Sequence, residues 1–539
     1  MPDQTLRAAD VLAQRLYEAG CRHAFGMPGG EVLTLVDALE RAGIAFHLAK
    51  HENAAGFMAE GVHHRDHAPA LLVATLGPGA MNGVNVVANA LQDRVPMIVL
   101  TGCVDADEAL TYTHQVLDHQ AVFRPITKAS FRLTSGGADT IADKAVTIAT
   151  DPRPGPVHVD VPINVADAPA PSAPRRRRAA IGKVVPQGAD LALAKAWLTQ
   201  AERPLVVIGL DVLSADIGPV LRAFVEHFAI PFVTTYKAKG VVDEDHPLCL
   251  GAAGLSPLAD RQLLPLVERA DLILAIGYDP IEMRPGWREA WDPLRQNVID
   301  IAAEANSHYM HQAGLHFVAD IGATLEALAQ NVKAQATWPR GEPAAAKAGL
   351  AQAFPVDEPW GPAAIIAETR AVLPAETLAT ADSGAHRILL SQMWSCHEAR
   401  GLIQSSALCT MGCAVPMAIG LKLSEPARPV VSFSGDAGLL MVAGELATAA
   451  ELGTAAIFVV FVDASLALIE LKQRQRQMPN LGVDFARHDF AAMGQAFGGN
   501  GVTVRNRGEL RAALQHAMDA DRFTVIAAQI DPAAYDGRL

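Results

Sequence analysis

The chain has 539 residues, half of them hydrophobic, and a formal net charge of −14 at pH 7. This length predicts about three domains, and the negative charge argues against a polyanionic partner such as a nucleic acid. The six cysteines show no metal-ligand spacing, and no apolar run is long enough to span a membrane. With a polar start that lacks a hydrophobic signal segment, we expect a soluble, cytoplasmic protein.

Three α/β units follow one another along the chain. Residues 1–167 alternate apolar runs with amphipathic helices, a pattern that predicts a parallel sheet. A Pro/Ala-rich stretch with an arginine run at 175–178 predicts a linker over 168–184. Residues 185–335 repeat the alternation, a second linker is predicted over 336–359, and residues 360–539 form the last unit. The predicted fold class is α/β, with three doubly wound parallel-sheet domains, of which the outer two share one architecture.

The first unit carries a carboxylate at the start of a predicted helix, Glu52 in the segment Lys50–Gly61. Taken alone, Glu52 could be a charge that complements the helix macrodipole. Three further segments of this unit also stand out in the sequence. They are Phe25–Gly30, Leu76–Gly83 and Gly155–Pro162, of which the first two contain glycine turns.

The last unit contains two acids that each follow an apolar run. Asp436 follows Pro429–Phe433 by a short Ser-Gly step, and Asp463 lies 27 residues later, after Ala455–Phe461. The runs predict neighbouring parallel strands joined by a crossover helix, so both acids should lie at the carboxyl edge of the sheet, where α/β proteins bind ligands. Two carboxylates among small residues suit a divalent cation that carries a phosphate ester.

These segments resemble the thiamine-diphosphate-dependent enzymes, whose cofactor signature is normally Gly-Asp-Gly followed by an Asn pair after about one βαβ unit. The resemblance implies a Mg²⁺ ion held by Asp436, Asp463 and the backbone carbonyl of Ser465. It also implies that residues of the first and last units contact the cofactor, some of them at its diphosphate. The residues concerned are Gly26, Ser383, Gly384, His386, Gly435, Ala437 and Gly438.

The resemblance assigns further roles. Glu52 matches the glutamate that hydrogen-bonds N1′ of the aminopyrimidine and promotes loss of the C2 proton of the thiazolium. Met411 matches the bulky residue between the two cofactor rings, and the carbonyl of Cys409 would accept from the 4′-amino group. In the family, the N-terminal domain of one subunit faces the C-terminal domain of another. A homodimer or homotetramer with active sites at the subunit interface is therefore expected.

Within the family, the segments His114–Asp118, Phe123–Lys128 and Ala275–Glu282 look like the FAD-independent, catabolic acetolactate synthases. This implies decarboxylation of a 2-oxo acid, pyruvate, and carboligation to acetolactate. Gln115 would lie near the thiazolium and orient the substrate, the alternative being a surface amide on a helix. No FAD is expected in the central domain.

A local chemical argument also favours ligation over simple decarboxylation. Simple pyruvate decarboxylases carry a glutamate aligned with Ile469, whereas here Glu470 comes one position later and points about 100° away on the same helix. An apolar pocket without a proton donor favours loss of CO₂ and allows attack on a second carbonyl.

Departures from the family pattern keep alternatives open. Ala437 replaces the third glycine, Val462-Asp463 replaces the Asn pair, and Ala464 replaces the usual Asn or Gly. The alternatives are a decarboxylase or lyase acting on a larger, aromatic or sulfonated 2-oxo substrate, a cofactor-binding paralogue without catalysis, and a nucleotide- or FAD-binding protein that uses the central domain. The basic run at 472–477 is interpreted as a solvated helix or loop face, with a lid for an anionic substrate as the alternative.

Overall fold

The structure is a computed structural model that describes residues 6–171, 182–306 and 308–539. Within these ranges, Glu282 is described by its backbone alone. The arginine run at 175–178 in the predicted first linker lies outside these ranges. In the described residues, the strands form three six-stranded sheets in which all neighbours are parallel. No helix in these ranges is both long and apolar enough to cross a membrane.

The N-terminal sheet has the strand order β2-β1-β3-β4-β6-β5. Its strands are β1 His23–Met27, β2 Ala45–Leu48, β3 Ala70–Ala74, β4 Met97–Cys103, β5 Ala129–Arg132 and β6 Val157–Pro162. Its helices are α1 Ala8–Glu18, α2 Leu33–Ala42, α3 Glu52–Asp66, α4 Pro78–Asn82, α5 Val84–Gln92, α6 His119–Phe123, α7 Ala138–Ala149 and α8 Ile163–Asp167.

The central sheet has a different order, β12-β11-β10-β7-β8-β9, in which successive strands are added on opposite sides of the adjacent parallel strands β7 and β10. Its strands are β7 Pro204–Ile208, β8 Phe232–Thr234, β9 Cys249–Ala252, β10 Leu272–Ile276, β11 Asn297–Ala302 and β12 Leu315–Val318. Its helices are α9 Ala189–Gln200, α10 Val212–Ala215, α11 Gly218–Phe228, α12 Pro257–Arg269 and α13 Ile321–Ala329.

The predicted second linker, 336–359, contains a helix of its own, α14 Glu342–Ala353. This segment is attached to the central domain, because the indole N–H of Trp338 donates to the carbonyl of Pro204 at 2.8 Å. A chain rich in Ala, Pro and charge therefore folds here against a neighbouring sheet.

The C-terminal sheet has the order β14-β13-β15-β16-β18-β17, which repeats the N-terminal order strand for strand. Its strands are β13 Leu378–Ala381, β14 Leu402–Gln404, β15 Val430–Gly435, β16 Ile457–Val462, β17 Asn500–Val504 and β18 Thr524–Gln529. Its helices are α15 Pro362–Val372, α16 Ala385–Met393, α17 Ala414–Ser424, α18 Asp436–Met441, α19 Glu445–Glu451, α20 Ala467–Gln475, α21 Phe490–Ala496 and α22 Arg507–Met518. The predicted common architecture of the outer domains is confirmed.

The two outer domains pack through α3 and α17, which approach closely at glycines. A Cβ on Gly61 would lie 2.3 Å from the carbonyl oxygen of Met417, and one on Gly420 would lie 2.0 Å from that of Met58. Because neither position has room for a side chain, the helices cross backbone to backbone. This contact fixes α3, and with it Glu52, relative to the C-terminal sheet.

Candidate active site

The two acids of the sequence motif meet at the carboxyl edge of the C-terminal sheet. Asp436 follows β15 and Asp463 follows the adjacent β16, and both are almost fully buried. Asp436 Oδ2 accepts from the backbone N–H of Ala464 at 2.7 Å, and Asp463 Oδ1 accepts from that of Ser465 at 3.1 Å. The structure therefore brings together Asp436, Asp463 and the backbone of Ser465, whose carbonyl is the third predicted metal ligand.

The electrostatics of this pair favour a bound cation. Burial raises the pKa of Asp436, and burial together with the charge of Asp436 raises the pKa of Asp463 to about 7. In the described ranges, neither carboxylate forms an ion pair with Lys or Arg. A divalent cation bound to both would remove their repulsion, and carboxylate and carbonyl oxygens are the ligands that Mg²⁺ takes. The donor set fits the metal.

Polar side-chain atoms without a hydrogen-bond partner lie on the neighbouring strand connection, where the diphosphate is expected. Ser383 and Gly384 join β13 to α16, and both Ser383 Oγ and His386 Nε2 are buried without a hydrogen-bond partner in the described chain. The His386 ring stacks on Phe461, and burial lowers the pKa of His386 to about 3. A buried polar group without a partner is costly. These two groups therefore fit an anionic ligand seated beside Gly435 and Asp436.

Asp382 belongs to the site but is absent from the candidates chosen by sequence. It is fully buried after β13 and accepts from the backbone N–H groups of Gly412 and Cys413, both at 2.9 Å. A Cβ on Gly438 would lie 1.9 Å from Asp382 Oδ2, so glycine is required there. The signal was available, because Asp382 follows its strand as directly as Asp436 and Asp463 follow theirs.

The segment after β14 forms the turn predicted to hold the aminopyrimidine. Cys409 and Gly412 have left-handed backbone conformations, with φ of 58° and 77°. The N–H of Thr410 donates to Ser405 Oγ at 2.9 Å, and its hydroxyl donates to Asn85 Oδ1 of the N-terminal domain at 3.0 Å. Met411 lies in this turn and is partly exposed. Four adjacent strands, β14, β13, β15 and β16, thus supply the predicted cofactor residues of this domain.

Glu52 is the first residue of α3, and its side chain is buried rather than solvated as a simple helix-capping charge would be. Its Oε2 accepts from Asn82 Nδ2 at 2.9 Å, and Gly79 lies against its Oε1. Asn82 is a second residue that the sequence did not single out as a site residue. Gln115 is exposed with φ of 59° and lies against Gly77, on the same glycine turn.

A buried network holds this glycine turn. The backbone N–H of Gly77 donates to His119 Nε2 at 3.1 Å, and His119 Nδ1 lies 2.9 Å from Asp160 Oδ1. Thr101 also donates to Asp160, at 2.7 Å. Because Nε2 accepts, His119 must be neutral with its proton on Nδ1. The network holds the Gly77–Gly79 turn in place, and this turn lies between the side chains of Glu52 and Gln115.

Within one chain, no described hydrogen bond joins Glu52 to Asp436 or Asp463. The described hydrogen bonds of Glu52 remain in the N-terminal domain, and those of Asp436 and Asp463 remain in the C-terminal domain. Gly26 lies inside β1, where a Cβ would meet the carbonyl oxygen of Val73 at 1.9 Å. This glycine allows close strand packing, and its contact with a cofactor stays a prediction.

A cavity of about 1250 Å³ lies where the three domains meet. It opens at the carboxyl edge of the central sheet, beside the switch point between β7 and β10, and is lined by Arg65, Lys237 and Arg400 among others. Arg94, from the N-terminal domain, pairs there with Asp211 and Asp279. Nucleotides bind at such switch points of α/β sheets. The position of the cavity is therefore consistent with the alternative of a nucleotide- or FAD-binding protein that uses the central domain.

Comparison with protein families agrees with the fold and the site. The model of the thiamine pyrophosphate enzyme N-terminal TPP binding domain matches residues 6–122, that of the central domain matches 191–328, and that of the C-terminal TPP binding domain matches 382–528. The chain is also 30% identical over 536 residues to the acetolactate synthase of Bacillus subtilis (strain 168), covering 97% of this chain and 93% of that protein. The chain belongs to the thiamine pyrophosphate enzyme family.

Two further relatives of this chain are named for different reactions. The catabolic acetolactate synthase of Raoultella terrigena is 28% identical, over 98% of this chain and 96% of that protein. A probable 2-ketoarginine decarboxylase of Pseudomonas aeruginosa is 30% identical, over 92% of this chain and 89% of that protein. Similarity of this degree therefore extends to proteins named for different substrates.

Proposed function

We propose that the protein is a Mg²⁺- and thiamine-diphosphate-dependent enzyme that decarboxylates a 2-oxo acid, pyruvate in the first instance, and joins the remaining fragment to a second carbonyl, as acetolactate synthases do. The observation that carries this proposal is the arrangement at the edge of the C-terminal sheet. Among the residues that the structure describes, two buried acids without a cationic partner lie beside two buried polar atoms without a hydrogen-bond partner, Ser383 Oγ and His386 Nε2. A metal diphosphate would satisfy both.

Each residue has a separate task in this proposal. Asp436, Asp463 and the carbonyl of Ser465 would hold Mg²⁺, while Ser383 and His386 would donate to the diphosphate. When bound, thiamine diphosphate supplies the carbon that adds to the 2-oxo acid and accepts the electrons released with CO₂. Glu52, oriented by Asn82, would hold and return the proton at N1′ of the aminopyrimidine.

The surroundings of Ile469 support ligation over simple decarboxylation. Ile469 lies near the start of α20 and is 44% exposed, so it presents an apolar side chain at the surface. Glu470 is instead engaged by Arg474, whose Nε donates to its Oε1 at 2.7 Å. Glu470 is thus paired with Arg474 and is not free to act as a proton donor beside Ile469, which favours ligation over simple decarboxylation.

We also propose that the complete site forms between two subunits. Apolar side chains are exposed on both predicted faces of that interface. Leu110, Tyr112 and Leu117 flank Gln115 in the N-terminal domain, while Leu440 and Met441 lie beside the Gly412 turn in the C-terminal domain. Burying such groups favours association, and it would bring Glu52 of one chain to the cofactor bound by another.

The first test is NMR of the purified protein with thiamine diphosphate, Mg²⁺ and pyruvate. Loss of pyruvate with formation of acetolactate is the expected result. Acetaldehyde as the sole product would contradict ligation and leave a decarboxylase. An absorbance spectrum of the same sample tests the central cavity, because bound FAD would colour the protein yellow.

A second candidate function is decarboxylation or lyase chemistry on a larger, aromatic or sulfonated 2-oxo acid. The relative named as a probable 2-ketoarginine decarboxylase favours it, as do the altered residues Ala464 and Ser465 beside the metal site. A panel of such acids, followed by CO₂ release, distinguishes the two candidates. A protein that binds the cofactor but turns over no member of the panel would be the non-catalytic paralogue.

A further inference from the structure

A buried lysine of the central domain lies beside two buried acids of the N-terminal domain. Lys237 follows β8 and is only 4% exposed. Its Nζ lies 2.9 Å from Asp93 Oδ2 and 3.7 Å from Glu60 Oε1. Burial raises the pKa of both acids, and the charge of Lys237 opposes this rise. His64 also contacts Glu60, but burial lowers the pKa of His64 and leaves it neutral. Lys237 therefore favours the ionised form of the two acids.

Asp93 also holds a segment of the C-terminal domain, residues 405–412, which we call the cofactor turn. The backbone N–H of Ser406 donates to Asp93 Oδ2, and that of Ala407 donates to Oδ1, both at 3.1 Å. Lys237 and Ser406 thus share one oxygen of Asp93. Because a hydrogen bond to an ionised carboxylate is stronger than one to a neutral acid, the position of this segment depends on the charge of Asp93.

Glu60 reaches the same turn through a chain of hydrogen bonds. Asn89 Nδ2 donates to Glu60 Oε2 at 3.1 Å, and Ser405 Oγ donates to Asn89 Oδ1 at 2.6 Å. Ser405 Oγ in turn accepts from the backbone N–H of Thr410 at 2.9 Å. An ionised Glu60 only accepts, so it directs the amide group of Asn89 towards itself and the amide oxygen towards Ser405. The charge of Glu60 therefore orients the bonds that hold the second part of the turn.

We propose that Lys237 is a positioning residue for the cofactor, because through Asp93 and Glu60 it holds the cofactor turn in the conformation that receives the aminopyrimidine. The inference rests on the proposed function, which places the aminopyrimidine against this turn. It gives the central domain a part in a cofactor site whose predicted residues all belong to the outer domains.

The dissociation constant of thiamine diphosphate, measured by calorimetry at saturating Mg²⁺, tests the inference without turnover. Lys237→Met removes the charge and keeps much of the length of the side chain. The two acids then lose their cation, so that one takes up a proton or the turn shifts, and binding should weaken about 10- to 100-fold. Lys237→Arg keeps the charge and should bind the cofactor more tightly than Lys237→Met. If Lys237→Met fails to fold, Asp93→Asn carries the same test.

The matched control is Lys239→Met. Lys239 lies two residues later, is 2% exposed, and has its Nζ 2.6 Å from Glu244 Oε1. Glu244 accepts from the backbone N–H of Cys396, which precedes β14, whereas the cofactor turn follows that strand. Both replacements break a buried ion pair at the border of the central domain, so both should lower the free energy of unfolding in urea. Only Lys237→Met should weaken cofactor binding, and Lys239→Met should leave it within about twofold.

A double-mutant cycle tests whether Lys237 acts through Asp93. Asp93→Asn alone should also weaken cofactor binding. The combination of Lys237→Met and Asp93→Asn should weaken it by less than the product of the two single effects, because either change already breaks the pair. Single effects that simply multiply would show that Lys237 does not act through Asp93 and would overturn the proposal.

The same titrations separate this inference from the proposed function. An unchanged dissociation constant in Lys237→Met, or an equal loss of affinity in Lys239→Met, would overturn the positioning role and leave the proposed function intact. Loss of cofactor affinity in Lys237→Met alone, in a protein that turns over no 2-oxo acid, would retain the positioning role and refute the proposed reaction. Failure of the unaltered protein to bind thiamine diphosphate would refute both.

Discussion

At Asp463 the chain has an acid where the family signature normally has asparagine, and the structure shows what this changes. The carboxylate lies beside Asp436 in a buried position, and the pKa of Asp463 rises to about 7. An acid with a raised pKa binds its proton more tightly in the folded protein than in the unfolded chain. Its contribution to stability is therefore present below about pH 4 and is lost as the pH rises through about 7.

The first prediction concerns the pH dependence of metal binding at Asp463. Because the carboxylate must lose its proton to bind Mg²⁺, affinity should rise up to about tenfold per pH unit below pH 7 and level off above it. Asp463→Asn supplies a neutral oxygen and removes the repulsion on Asp436, so its affinity should vary less with pH. Calorimetric titration with Mg²⁺ and thiamine diphosphate across this range measures both. Identical pH profiles for the two proteins would contradict the assignment of the ligand.

The second prediction separates cofactor binding from catalysis at Glu52. Glu52→Gln keeps the size of the side chain but removes the proton-exchanging group, so kcat should fall about 100- to 10,000-fold. The dissociation constant of thiamine diphosphate should change little, since the diphosphate and metal contacts lie in the other outer domain. Steady-state kinetics and cofactor titration measure the two effects. The control, Glu376→Gln, alters an exposed carboxylate, and full activity of Glu52→Gln would refute the role of Glu52.

At the scale of single elements, the two alanines that depart from the signature differ in backbone conformation. Ala437 lies in the first turn of α18, where helical backbone suits alanine. Ala464 lies between β16 and α20 with φ of 61°, a left-handed conformation that favours glycine or asparagine. Its N–H reaches Asp436 Oδ2 from this conformation, so the strained turn is part of the predicted metal site.

The third prediction follows from this contrast. Ala464→Gly should leave stability unchanged or raise it by up to about 1 kcal/mol, because it relieves the left-handed strain at some cost in chain entropy. The matched change Ala437→Gly should lower stability by about 0.5–1 kcal/mol, because it places glycine in a helix. Chemical denaturation of the two variants gives the comparison. The same sign for both changes would show that φ does not decide their effect.

At the scale of the whole molecule, the arrangement of the domains decides where the site is completed. The outer domains of one chain are locked by the α3–α17 contact, yet the described bonds of Glu52 and of the two acids stay on separate domains. The exposed apolar groups near Gln115 and near Gly412 are the surfaces that a second copy would cover. Subunit pairing and cytoplasmic location both remain predictions.

The fourth prediction is complementation between two inactive variants. Glu52→Ala and Asp436→Ala each disable every site in their own homo-oligomer. If sites form between chains, a mixed dimer has one site with both residues intact, and random pairing on co-expression should restore about a quarter of the activity. Activity assays on the co-purified mixture test this. Pairing Glu52→Ala with Glu52→Gln is the control, and an inactive first mixture would place the whole site within one chain.

The sequence by itself determined the fold class, the family and the position of two acids at the carboxyl edge of the C-terminal sheet. Buried parallel strands need continuous apolar runs, and ligands at a sheet edge come directly after them, so Asp436 and Asp463 were visible as local patterns. The same rule would have found Asp382. Several strands were not predicted, β9 and β12 among them, because these two contain no long apolar run.

Only the tertiary structure decided which distant residues act on one another. The hydrogen bond of Asn82 to Glu52, and those that join His119 to Asp160 and to Gly77, connect segments far apart in the chain, and no local spacing encodes them. The raised pKa of Asp463 and the left-handed backbone of Ala464 likewise depend on burial and on chain path. Residue types that supply chemistry are local in sequence, whereas solvation, charge balance and backbone conformation arise from packing.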